Sequence, residues 1–293
     1  MRKKETLLFL LILGTAFWGL SFSVTKMAMG NHSPFIFLFY RFMLASAVLA
    51  VIFWKQVKNV SANAVFSGAV LAIPLMCGIS LQTMGIKYTA ASQCSFIAGT
   101  TVILIPVIKL FLYQKAAPLK VWLAAMLALT GLFVISIKAG FIIGKGDLFT
   151  IAGALGFAIY LILVERKSTG RDLIPTIVPM FATCAMLSFG LAYTGNHADW
   201  LPGDTTFWVG IVFCGLFSTA YMYTISNISQ RYISAERVAI IYLFEPVFGA
   251  VAAFFILNES LSWRLLLGGA LIVAASVIAE LKRKSNGGLE VTN

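Results

Sequence analysis

Charged residues make up only 11% of this 293-residue chain, against about 25% in an average soluble domain. Histidine occurs twice, at His32 and His197, and neither lies in an apolar run. That excludes HExxH metal chemistry and histidine-based catalysis inside a membrane. The four cysteines, Cys77, Cys94, Cys184 and Cys214, all fall in apolar runs and form no CxxC pair, so neither a disulfide framework nor a zinc site is expected. Gly144-Lys145-Gly146 lacks the spacing of a GxxxxGK[ST] phosphate loop, and no ATP-driven step is expected. No DxxxD pair occurs either, which leaves an intramembrane lipid-modifying enzyme without the paired acids that hold a metal–diphosphate.

What the chain has in abundance is apolar surface. Apolar types are 60% of it, and its mean hydropathy is +0.92. A compact soluble fold of this length cannot hide so much, and a disordered chain would not contain it. The bilayer is the expected solvent. Apolar runs fall at 6–28, 34–54, 64–86, 91–113, 119–137, 147–165, 173–194, 206–228, 236–257 and 263–281. Each approaches the roughly 20 residues that a helical span requires. The first run is too long for a signal peptide and lacks a small-residue cleavage site, so it reads as a retained helix. Turn chemistry separates several runs: Gly30-Asn31-His32-Ser33-Pro34, Ala116-Ala117-Pro118 and Leu201-Pro202-Gly203-Asp204. The expected class is an all-α integral membrane protein of ten transmembrane helices.

The net charge is +11, yet the basic residues stand in small groups between apolar runs. They read as cytoplasmic loops rather than as a nucleic-acid surface. With the N-terminus inside, Arg2, Lys3, Lys4, Lys55, Lys58, Lys115, Lys120, Arg166, Lys167, Arg171, Arg231, Arg237, Lys282, Arg283 and Lys284 fall on the cytoplasmic side. Only Lys87, Lys138, Lys145 and Arg264 fall outside. The bias predicts both termini in the cytoplasm. Displacing the chain by 144 residues lays Lys87-Tyr88 on Arg231-Tyr232, Ala91 on Ala235 and Ile97 on Ile241. A repeat of five spans is odd, so its second copy must enter the membrane from the opposite side, as in many secondary transporters. The expected units are 1–140 and 141–284, with 285–293 a cytoplasmic tail.

Motifs along the chain carry a family resemblance. Trp18-Gly19-Leu20-Ser21-Phe22 precedes Lys26, and Pro34 precedes Arg41-Phe42. Gln82, Gly85 and Tyr88 follow at three-residue steps, then Gly146-Asp147-Leu148 and Phe157-Ala158 with Tyr160. Ser234-Ala235 leads to Leu243-Phe244-Glu245-Pro246-Val247, then Asn258-Glu259-Ser260-Leu261 and Gly268-Gly269. In this order the chain resembles the EamA-type permeases of the drug/metabolite transporter superfamily. The resemblance implies two inverted five-helix repeats around a midplane cavity, alternating access, and small-metabolite cargo such as amino acids or related compounds, most often exported. It also implies a bacterial cytoplasmic membrane. In the first repeat Lys115 stands where Glu259 stands in the second, and Thr101-Val102 where Glu245-Pro246 stand. The two halves therefore do not use matched acids.

Charge inside a span costs roughly 2.5–3.5 kcal/mol at a helix centre, so each case needs a reason. Glu245 reads either as a proton- or substrate-handling group or as a structural acid beside the Pro246 kink. Arg41 can bind a carboxylate through two parallel hydrogen bonds, or it can tether helices. Lys26 stands near the outer end of its run, and Lys109 is expected to snorkel to the cytoplasmic interface. Gln82, Tyr223 and Asn227 are candidate cavity walls, and Trp18, Tyr160 and Tyr242 a candidate aromatic lining. Tyr223 and Asn227, four apart, share a helix face, as do Tyr242 and Glu245, three apart. The expected function is secondary active transport without a cofactor, with protons as a candidate coupling ion. A lipid-modifying enzyme or a non-transporting membrane protein are the alternatives. Oligomeric state and substrate identity are not legible.

Overall fold

The computed structural model describes residues 2–89, 91–114, 116–136, 144–168, 173–194, 199–245, 247–249 and 263–280. Pro246, Lys115, Lys138, Arg171, His197, the Asn258–Leu261 motif and the expected tail at 285–293 lie outside the described residues. Among the described residues every regular element is helical. In chain order they are α1 (Arg2–Met29), α2 (Pro34–Ile52), α3 (Trp54–Lys58), α4 (Ala62–Tyr88), α5 (Ala91–Ala98), α6 (Thr101–Tyr113), α7 (Leu119–Ser136), α8 (Lys145–Ser168), α9 (Ile174–Tyr193), α10 (Thr205–Phe213), a π-helical segment (Cys214–Tyr221), α11 (Met222–Ser229), α12 (Ala235–Tyr242) and α13 (Trp263–Glu280).

Six of these are long and apolar enough to cross a bilayer: α1, α2, α4, α8, α9 and the continuous stretch Thr205–Ser229. At 1.5 Å per residue, the 19 residues of α2 rise about 28 Å, close to the ~30 Å hydrocarbon core. Shorter apolar helices lie at Thr101–Tyr113, Leu119–Val134 and Leu266–Ala279. The outer surface carries large apolar side chains such as Phe9, Phe66, Ile73, Phe111, Leu123, Val209 and Leu266. The interior instead holds buried polar groups, among them Thr15, Arg41, Asp147, Ser218, Asn227 and Glu245. Apolar outside and partly polar inside is the arrangement for lipid as solvent.

Small residues set the packing. α4 lies along α8, α2 along α9, and α7 along α13. A Cβ on Gly156 of α8 would stand 2.7 Å from the Gly78 nitrogen of α4, so these backbones touch with no side chain between them. Gly30, with φ +45°, makes the turn between α1 and α2 that a β-carbon would strain. Asp204 caps α10, accepting from the Thr206 amide at 2.8 Å.

Two runs expected to be continuous are interrupted. The run 91–113 breaks at Gly99 and Thr100, between α5 and α6. The hydroxyls of Thr100 and Thr101 turn back onto the carbonyls of Ile97 and Ala98, at 2.6 and 2.7 Å. Such side-chain bonds compete with the helical ladder. The run 236–257 breaks at Leu243, after which Phe244 and Glu245 are helical again. The breaks at Gly99 and Leu243 are 144 residues apart, the same displacement that aligns the two sequence halves.

Candidate functional site

Where α1, α2, α4, α5, α8, α11 and α12 converge, they enclose a cavity of about 60 Å³, the volume in which the centre of a water molecule can move. Its wall includes Trp18, Ser21 and Thr25 from α1, Arg41 from α2, Gln82 and Thr83 from α4, Ser95 from α5, Thr101 at the start of α6, Tyr223 from α11, and Tyr242 and Glu245 around the second break. Six expected site residues thus meet in one place: Trp18, Arg41, Gln82, Tyr223, Tyr242 and Glu245.

Arg41 is 5% exposed and does not snorkel. Its Nε donates to Thr219 Oγ1 at 2.5 Å and its Nη2 to Ser218 Oγ at 3.1 Å. Both acceptors sit on the π-helical segment. The wider turn of a π-helix loosens the regular ladder and is frequent at functional sites. Here it presents two adjacent hydroxyls to one guanidinium and leaves the Ser218 carbonyl to the Trp18 indole, Nε1 to O 2.7 Å. A guanidinium has five N–H donors; among the described residues two are seen bonded, and Arg41 lines the cavity.

Glu245 accepts a hydrogen bond from Ser95 Oγ at 3.1 Å, and this bond joins the two interrupted segments, α5 and the stretch after α12. Among the described residues no ion pair joins Arg41 and Glu245. The cavity therefore offers a fixed cation and a carboxyl as separate groups. An aromatic cluster lines the same cavity. Trp18 packs edge-on against Tyr242, centroids 4.7 Å apart, and against Tyr223 at 5.4 Å. Tyr242 shares a 2.5 Å hydrogen bond with Ser226.

Tyr160 and Asn227 form a second layer. They are fully buried, the Tyr160 hydroxyl donates to Asn227 Oδ1 at 2.7 Å, and the Tyr160 ring backs Tyr223 at 5.9 Å. Lys26 is not brought to the cavity wall; its Nζ donates to the Thr89 carbonyl at 2.6 Å on an exposed edge. Lys109 does not snorkel. It pairs with Glu165 of α8 and Glu236 of α12, partners far away in the chain. Sequence reasoning missed Ser21, Thr25, Thr83, Ser95 and Thr101. The one available signal was spacing: Trp18, Ser21, Phe22 and Thr25 stand at i, i+3, i+4 and i+7, one helix face. Among the described residues no group of histidine, cysteine or acidic side chains could hold a metal ion.

A multi-pass helical bundle around a buried polar cavity defines a membrane protein built to handle a small solute. The profile of the EamA-like transporter family matches residues 6–137 and again 144–280, and the chain belongs to that family. An uncharacterized transporter of Archaeoglobus fulgidus is 26% identical over 265 residues, 90% of this chain and 82% of the relative. The uncharacterized transporter YcxC of Bacillus subtilis is 25% identical over 289 residues, 92% of each chain. A crystal structure of another protein superposes with a TM-score of 0.75 at 18% identity, over 96% of this chain and 97% of that one; this likeness concerns the fold. The family and these relatives are described as transporters.

Proposed function

We propose that this transporter is a secondary carrier that exports small zwitterionic metabolites, amino acids or related compounds, across a bacterial cytoplasmic membrane by alternating access. The observation that carries the reading is the separation of Arg41 and Glu245 on one cavity wall. A guanidinium on the cavity wall suits a substrate carboxylate. A carboxyl with a single serine donor suits an ammonium or a coupling proton. Trp18, Tyr223 and Tyr242 offer ring faces and edges to the part between. Gln82 contributes an amide to the wall, Tyr160 and Asn227 hold Tyr223 from behind, and Lys26 acts at the outer rim.

In this reading the chain crosses the membrane ten times as two inverted units, 1–140 and 141–284, with both termini cytoplasmic and no cofactor. Support comes from the helix pairings. Exchanging the halves turns the α4–α8 pairing into that of α1 with the α10–α11 stretch, and maps α2–α9 and α7–α13 onto themselves; all of these pairings occur. Interrupted helices in corresponding positions of the two halves favour a binding site at their junction, where Ser95 and Glu245 meet.

Purified protein in proteoliposomes tests the reading, with candidates drawn from a metabolite screen of cells with and without the protein. Saturable flux, stimulated by a pH gradient in the wild type and insensitive to that gradient in Glu245→Gln, is the expected result. An unchanged pH response would remove Glu245 from coupling. Arg41→Lys is expected to weaken carboxylate substrates at least tenfold more than neutral analogues, because a lysine lacks the planar fork. Equal loss for both classes assigns Arg41 to helix tethering alone.

A further inference from the structure

Behind the wall of the proposed substrate site a polar layer runs toward the last turn of α8, which carries Arg166 and Lys167. Tyr223, Ser226, Asn227 and Gln230 stand at i, i+3, i+4 and i+7, so they form one polar face along α11. The face begins at the cavity with Tyr223. It continues through Ser226, bonded to Tyr242, and Asn227, bonded to Tyr160. It ends at Gln230, 4% exposed. These groups are under-used. Asn227 Nδ2 and both amide atoms of Gln230 have no hydrogen-bond partner among the described residues, and neither do the nearby Ser229 and Thr224 hydroxyls. Leaving such a group buried without a partner is unfavourable. Several such groups on one helix face are accounted for if water or solute reaches that face in another state.

The far end of this face is tied shut. Lys109 of α6 reaches the carboxylates of Glu165 on α8 and Glu236 on α12, the latter at 2.9 Å. α8 and α12 are the helices that flank the polar face, through Tyr160 and Tyr242. The Ser168 hydroxyl, 2.9 Å from the carbonyls of both Glu165 and Gln230, links the tie to the end of the face. Lys109, Glu165 and Glu236 themselves line an open vestibule of about 770 Å³, bordered also by Arg166, Arg237 and Lys120.

We propose that the polar face of α11 is the wall of the solute path between the cavity and this vestibule, and that Lys109, held between Glu165 and Glu236, is the latch that closes it. Parting α8 from α12 breaks the ion pairs but hydrates the Asn227 and Gln230 amides, so one cost offsets the other and both states stay accessible. The inference needs only that the chain is a transporter. It holds whatever the substrate, and whether or not Glu245 takes a proton.

Thiol accessibility tests it on the full-length protein. Single cysteines replace Asn227 or Gln230 in a background whose four native cysteines are serine, and a charged methanethiosulfonate is the probe. With the latch intact, labelling is expected to be slow. Lys109→Met should speed it at least tenfold at both positions, and leave a control cysteine at buried Ile36 of α2, off the polar face, unchanged. The double variant Lys109→Glu with Glu236→Lys keeps one cation between two carboxylates and should restore slow labelling. Where Lys109→Met yields no folded protein, Glu236→Gln, which keeps the Lys109–Glu165 pair, should give a smaller rise of the same pattern. Unchanged rates in the latch variants overturn the proposal. So does a rise that the Ile36 control shares, because it would mean general loosening.

Discussion

A hydrogen in place of a methyl decides how closely α1 approaches the stretch that carries Glu245. A Cβ on Gly19 would stand 2.5 Å from the Glu245 carbonyl and 2.8 Å from the Gly249 nitrogen, and backbone cannot step aside cheaply. Gly19→Ala is expected to cost about 1–3 kcal/mol. Gly190→Ala, whose β-carbon would meet nothing within 4 Å, should gain up to about 1 kcal/mol of helix propensity. Thermal unfolding of both variants in detergent checks the contrast, and an equal fall in Tm would refute the close-approach account. Arg41 is decided in the same local way. Hydrogen bonds to a charged group are worth about 1.5–3 kcal/mol, so Ser218→Ala with Thr219→Val should lower Tm by several degrees more than Ser218→Ala alone. A double variant no worse than the single one would remove Thr219 from the account. Arg41 and Glu245 were legible because a charge in an apolar run stands out. Ser95 and Thr101 were not, since a small hydroxyl in a helix usually bonds its own preceding turn. The partners of Lys109 were not legible either, because only the fold brings α8 and α12 beside α6.

At the scale of the element, helix ends were read to within a few residues wherever turn chemistry marked them, as at Gly30–Pro34 and Pro202–Asp204. The interruptions at Gly99 and Leu243 escaped that reading: Gly99-Thr100-Thr101 was read as part of an apolar run, and the second run was expected to kink at Pro246 rather than at Leu243. At the first of them a competition between ladder and side chain is seen at Thr100 and Thr101. Replacing both by alanine is expected to let the ladder close across Gly99 and to slow hydrogen exchange of the amides from 100 to 105 by about tenfold. Exchange as fast as in the wild type would mean that tertiary packing, not these hydroxyls, holds the break open. The π-helical segment was equally silent in sequence. Its composition is that of any small-residue helix, and what makes it distinctive is the guanidinium it faces.

For the whole molecule, the sharpest expectation concerns topology. Two inverted five-helix units place both chain ends on one side, so reporters fused at residue 1 and residue 293 should both read cytoplasmic. Ends on opposite faces would leave the inverted-unit reading without a basis. What the sequence determined by itself was the solvent and the class. Sixty per cent apolar residues, gathered into spans with basic loops between them, admit no compact soluble fold, and the ordered motifs point to one transporter family. What only tertiary structure decided was which rare polar residues share a space. Periodicity fixes the face of a helix on which a residue stands, but not the helix that face meets. The cavity joins Trp18 to Tyr242 and Ser95 to Glu245 across the two halves of the chain. The same packing holds Lys26 at a rim and commits Lys109 to two carboxylates. Contacts of that range depend on how helices cross in lipid, and that is set by small-residue seams such as Gly78 against Gly156.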